Sequence, residues 1–343
     1  MNGKERILRS LAGEPTDSLP LIPISMMAAA DAVGEKYGAY IKDASVHAKG
    51  QIAFAERWDV DHVSAISCPT TEAADLGATV IYYDNQPPAI DEENALLANK
   101  SKLGGLRVIQ PGTRMTKRLE TLRLLKKGVA GERLVEGWVE GPVAEASDLR
   151  GINRFMVDFY DDPEFVRDLF AFVFENAMAF ARLQKEAGAE IMGVGDAASS
   201  LTGPDIYGDF IWEWQKRYAL ALHEMGLKVR LHICGNITFM LPMLKDVDFD
   251  ILDLDSMVSM EAARRVLGPG RLLSGNIDPV RMLRNGSPED VARGFAECLA
   301  AAGGGMYAVN AGCEVPRDTP IGNLEAMRRF ARSHVPVAVA SGP

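Results

Sequence analysis

Cysteine is scarce and scattered in this 343-residue chain, which carries only Cys68, Cys234, Cys298 and Cys313. Four thiols so far apart, behind an N-terminus without the apolar stretch of a secretory signal, do not read as a disulfide framework and are expected to be reduced. Long hydrophobic runs are missing too, which excludes a membrane-spanning helix. Basic excess is absent: 37 Lys and Arg face 47 Asp and Glu, for a formal net charge of −10. A nucleic-acid surface would normally show the reverse balance. Low-complexity tracts and repeats of 20–50 residues are also lacking. What remains, 47% hydrophobic and 24% charged, is the composition of an ordinary globular protein, expected in the cytoplasm.

Eight short apolar runs read as strands, at 19–24, 60–67, 133–141, 190–196, 228–234, 249–255, 271–278 and 306–312. From the third onward each is followed by a segment of helical periodicity, at 163–187, 204–225, 237–246, 259–267, 288–301 and 320–332. Pro163, Pro204 and Pro288 stand where a first helical turn would begin. Strand alternating with helix implies a parallel sheet, and eight units in one chain of this size imply a (β/α)₈ barrel occupying residues 1–343 as a single domain. Residues 79–132 break the alternation and are expected to form an excursion between strands two and three that covers the barrel mouth. Its basic cluster of Lys117, Arg118, Arg123, Lys126 and Lys127 reads as a solvated helix face or a docking patch.

Against that frame His232 and Cys234, in LRLHICGN, stand out. Residues two apart on a strand project to one side, so both can grip one ion. Cys313, in NAGCEVP, follows the last strand. In a barrel, strand C-terminal ends converge on one rim, which favours metal binding over a buried His and two inert core cysteines. Imidazole with two thiolates suits Zn²⁺, and three protein ligands leave a fourth position for water or substrate. Asp196 ends strand four and could orient a bound group or cap its own turn. Glu72 and Glu314 are acids near the same rim, either of which could occupy the fourth zinc position before substrate arrives or serve as a loop acceptor, and Asn236 and Asn310 could support the ligands or hold backbone. His47, His62, His223 and His334 lack a paired Cys and read as surface or packing residues. Cys298 reads as core.

The chain resembles the uroporphyrinogen decarboxylase superfamily, and within it the zinc-dependent corrinoid methyltransferases of the methylcobamide:coenzyme M methyltransferase type. The pieces that carry the resemblance are ERILRSLAGEPTDSLPLIP, TTEAADLGATV, EGPVAEASDLRG, GDAASSLTGPDIYGDFIWEW, HICGN and NAGCEVPRDTPIGNLEAM. It implies zinc held by His232, Cys234 and Cys313, and a corrinoid supplied by a separate partner protein docked at the mouth against the 85–132 excursion. It implies methyl transfer between that corrinoid and a zinc-activated thiol, or, in the opposite sense, from a methoxylated aromatic or other methyl donor to the corrinoid. A non-catalytic zinc-binding barrel is the reading of another class. Porphyrinogen decarboxylation is not expected, because ISMMAAADAVGE carries no Arg where that branch clamps carboxylates and Cys313 stands in place of its late His. Cys68 falls where that branch has an essential Asp and reads as core. Oligomeric state is left open.

Overall fold

The computed structural model describes residues 1–108 and 110–336. Its nine strands are β1 (His62–Ser64), β2 (Val80–Ile81), β3 (Ala89–Ile90), β4 (Leu134–Glu140), β5 (Ile191–Gly195), β6 (Lys228–His232), β7 (Ile251–Asp253), β8 (Leu272–Ser274) and β9 (Tyr307–Ala308). Seven form one parallel sheet in the order β1-β4-β5-β6-β7-β8-β9, while β2 and β3 pair antiparallel apart from it. Neighbours in the sheet are neighbours in sequence, as short right-handed β-helix-β units require. Long helices such as Pro163–Glu186 and Pro288–Ala301 return the chain between strands, and among the described residues no helix is long and apolar enough to cross a membrane.

The expected first strand, 19–24, forms no regular ladder, because Pro20 and Pro23 lack the N–H groups that one needs. It nevertheless bonds to both edges of the sheet. Val309 N donates to Pro20 O at 2.8 Å, Ile22 N to Val309 O at 3.0 Å, and Asp61 N to Leu21 O at 2.9 Å.

Strand alternation layers the interior. At the bottom Ile22, Leu134, Ile191, Ile251, Leu272 and Ala308 pack together, closed by Ile7 from the helix Gly3–Leu11. Glu136 and Asp253, two residues further along their strands, and Arg230 of β6 make a buried ionic layer. Two further still come Trp138 and His232, and the layered core therefore lifts the functional groups to the strand ends.

The excursion does not cover the mouth as a unit. Its helix Thr113–Gly128 packs on the outer wall against the helix Ala44–Trp58 and buries Leu119, Leu122 and Leu125. Its 80–92 portion reaches the C-terminal face, where Asn85 O accepts from Arg317 Nη1 at 3.0 Å. The basic cluster is likewise not one solvated face, since Lys117 and Arg118 are buried. Arg118 donates to Trp138 O at 2.9 Å, Thr71 Oγ1 at 2.8 Å and Cys68 O at 3.2 Å, tying β4 and the segment after β1 to the helix. Lys117 faces His47, and burial, helped by Arg114 and Arg118, pushes its ammonium well below the usual lysine range. Lys126 bonds Glu190, beside the N-terminal end of β5, at 2.7 Å. Arg123 and Lys127 alone are exposed.

Candidate metal centre

His232 closes β6, and Cys234, two residues on, turns its sulfur to the same side. His232 Nε2 lies 3.0 Å from Cys234 Sγ, the two sulfurs of Cys234 and Cys313 lie 3.4 Å apart, and Cys313 Sγ is 3.8 Å from Nε2. Three soft donor atoms thus face one point, the arrangement a tetrahedral ion needs. The strands bearing them are not adjacent, so the Cys313 loop must lean across. Gly312 makes that possible: a Cβ there would meet Ser256 N at 2.5 Å, while Gly312 N donates to Ile277 O and Val315 N to Ile24 O, at 2.9 and 2.8 Å.

Around the donors the chain orients each group. His232 Nδ1 lies 3.1 Å from Asp253 Oδ2, which leaves Nε2 facing the sulfurs. Asp253 is itself held by Arg230 Nε at 2.8 Å and approached by Asn310 Nδ2 at 3.4 Å. Burial pushes the Asp253 carboxyl up, but Arg230 and His232 outweigh it and bring it down to about 2. The Cys234 hydrogen bond and then His232, against burial, hold the Cys313 thiol down at about 4, while Cys234 is raised by that same bond and by burial. Burial opposes charge on His232, yet Asp253 and Cys313 raise it to about 10. A cation entering displaces the protons of the His232 imidazolium and the Cys234 thiol, while Cys313 already offers a thiolate, and this donor set can hold Zn²⁺.

Asp196 is fully buried and spent on the fold. Its Oδ1 accepts from Val143 N and Ala144 N, at 2.9 and 3.0 Å, capping the helix Pro142–Arg150, and its Oδ2 accepts from Ser199 Oγ and Gln215 Nε2, at 2.5 and 2.9 Å. Glu72 is buried away from the three donors, accepting from Glu140 N at 3.2 Å and lying 3.8 Å from Arg118. Asn236 is exposed and accepts from Thr238 N at 3.1 Å, a local turn. Glu314 accepts from Met27 N at 2.7 Å and is raised to about 7 by burial. Cys68 is buried, 3.0 Å from Arg114 Nη2. His62 lies in the ionic layer, 3.6 Å from Glu136, and His223 pairs with Asp250 at 2.8 Å.

Sequence reasoning missed Asp253, Arg230, Trp138 and Glu140. Trp138 lies across β5 because that strand offers Gly193 and Gly195: a Cβ on Gly195 would be 2.7 Å from the indole, and one on Gly193 closer still. Its ring is 6.3 Å from that of His232, and its Nε1 donates to Glu140 Oε1 at 3.0 Å. The period-2 run of inward residues 134, 136, 138 and 140 was the available signal.

The family follows. The uroporphyrinogen decarboxylase family model matches residues 2–334, and the chain belongs to that family. It is similar to the methylcobamide:CoM methyltransferase MtbA of Methanosarcina acetivorans, 27% identical over 339 residues covering 96% of this chain and 98% of that protein. It is similar to the methylcobamide:CoM methyltransferase MtaA of Methanosarcina barkeri, 25% identical over 94% of this chain and 96% of that one. A solved methyltransferase structure from Methanosarcina mazei shares the fold, with a TM-score of 0.83 at 24% identity over 97% of this chain and 98% of that chain.

Proposed function

We propose that this protein is a zinc-dependent methyltransferase, moving a methyl group between a corrinoid carried by a separate protein and a thiol bound at His232, Cys234 and Cys313. The chain works as a single (β/α)₈ domain, with segment 19–24 as the stave that closes the curled sheet. The observation that carries the reading is the convergence of one imidazole nitrogen and two sulfurs at the strand C-terminal ends, within a chain similar along nearly its whole length to methylcobamide:CoM methyltransferases.

Zinc, when bound, would lower the pKa of an incoming thiol so that the nucleophilic thiolate is available at neutral pH. His232 Nε2, Cys234 Sγ and Cys313 Sγ would hold it and leave one position open. Asp253 keeps His232 oriented, and the Trp138 indole beside it gives the mouth an apolar wall. In sum, a thiol and a methylated corrinoid become a methyl thioether, the demethylated corrinoid and one proton. The corrinoid macrocycle is too large for the layered interior, so its carrier meets this chain at the C-terminal rim. The buried Lys117 and Arg118 take no part in that contact.

The test is the consumption of free methylcobalamin by zinc-loaded protein across a panel of thiols, followed by absorbance, with Cys313→Ser as control. Thiol-dependent turnover lost in the variant is expected. Methyl uptake by cob(I)alamin from methoxylated aromatics, with no thiol accepted, would reverse the assigned direction. Inactivity in both arms would leave only a zinc-binding barrel.

A further inference from the structure

Arg230 stands mid-strand in β6 with its guanidinium inside the curled sheet, 1% exposed. Nε donates to Asp253 Oδ2 at 2.8 Å, Nη1 lies 3.2 Å from Glu136 Oε1 and 3.4 Å from His62 Nε2, and Nη2 donates to Ile22 O at 2.9 Å. One side chain therefore spans β7, β4, β1 and the 19–24 segment. The Asp253 oxygen that it grips is the one facing His232 Nδ1 at 3.1 Å. The 19–24 segment and the turn after it also reach the site from the other side, through Ile24 O to Val315 N at 2.8 Å and Met27 N to Glu314 Oε1 at 2.7 Å.

We infer that Arg230 is a positioning residue for the metal site, acting through Asp253 on His232 and linking metal affinity to the segment that closes the sheet. A planar guanidinium can hold several acceptors in fixed directions at once, whereas a lysine ammonium is a point charge on a flexible stem. A carboxylate fixed beside a ligating imidazole sets its orientation and raises its basicity, and losing such a partner costs about 10–100-fold in metal affinity. By linkage, an ion that binds better to the closed arrangement must in turn stabilise closure. The inference rests on the ligand set proposed above but on neither thiol nor corrinoid.

Zinc affinity, measured by competition with a chromophoric chelator without thiol or corrinoid, tests it on wild type, Arg230→Lys, Asp253→Asn and the double variant. Each single variant is expected to bind about 10–100-fold more weakly with its far-UV circular dichroism retained, and the double variant no more weakly than the worse single. Wild-type affinity in Arg230→Lys, or losses that multiply in the double variant, would overturn the link. Because Arg230→Lys can fail to fold, a second measurement uses unaltered protein. Amide exchange at Ile22 and Val309 should slow on zinc loading more than in the distant helix Pro163–Glu186, and equal slowing overturns the coupling. A wild-type chain that binds no zinc would sink the metal reading itself, and this inference with it.

Discussion

The Trp138 indole occupies space that two missing side chains leave on β5, so the site's wall depends on glycines that touch no ligand. Gly193→Ala should cost about 1–3 kcal/mol, the range for overpacking a filled interior. Thermal melting would register the loss, and fluorescence would report a displaced indole. An unchanged melting temperature would mean that the ring has room to move. At this scale His232, Cys234 and Cys313 were legible because spacing of two on a strand fixes a shared face, and a thiol is a rare, soft donor. Asp253 was not legible. In FDILDLD it is one acid among several, and only the pairing of His232 with Asp253 across β6 and β7 brings the two side chains together. Asp196 was weighed as an orienting group or a cap, and its four donors belong to backbone and fold-internal side chains.

Among the elements, the helices Thr71–Leu76 and Pro142–Arg150 bring carboxyls together beneath the rim. Glu72, Glu140 and Glu145 are buried, and both oxygens of Glu145, one of Glu72 and one of Asp148 have no hydrogen-bond partner. Burial first, and then mutual repulsion led by Glu72, raises Glu140 and Glu145 well above the carboxyl range and Asp148 to about 7. The folded chain therefore holds protons that the unfolded chain has already released at mildly acidic pH. On their account stability is greatest below the ordinary carboxyl range and falls as pH rises through about 7. The melting temperature should accordingly be lower at pH 8 than at pH 6, with Asp148→Asn narrowing the difference; a rise with pH over that window would show that the cluster is ionised. None of this was legible, since helix periodicity says which face is buried but not which acids meet. The basic helix misled for the same reason: counting Lys117 and Arg118 as solvated ignored the His47 ring that Lys117 meets and the Trp138 and Cys68 carbonyls that Arg118 reaches. In the 19–24 run the alternation was visible, and the two prolines that thin its ladder were as well.

For the whole molecule, the apolar bottom layer and the ionic layer above it include none of the three side chains that would hold the metal. Cys234→Ser and Cys313→Ser should therefore keep far-UV circular dichroism and cooperative melting while losing methyl transfer, and collapse of the fold would make the site structural. The surface corrects the expected docking patch. Lys126 is engaged at the N-terminal end of the sheet, opposite the donors, so charge reversal at Arg123 and Lys127 should leave transfer from a corrinoid protein and from free methylcobalamin equally fast. Selective slowing with the protein donor would place the partner on the outer wall. The strand-and-helix alternation was legible throughout, because Pro-marked helix starts and apolar runs recur along the chain. The position of the excursion was not, as it depends on which helix its leucines meet.

The proposed function requires that His232, Cys234 and Cys313 hold zinc. Elemental analysis of purified wild type and Cys234→Ala, dialysed alike against metal-free buffer, decides it. One zinc per chain in the wild type with most of it lost in the variant is the expected result, and equal zinc in the two proteins would contradict it.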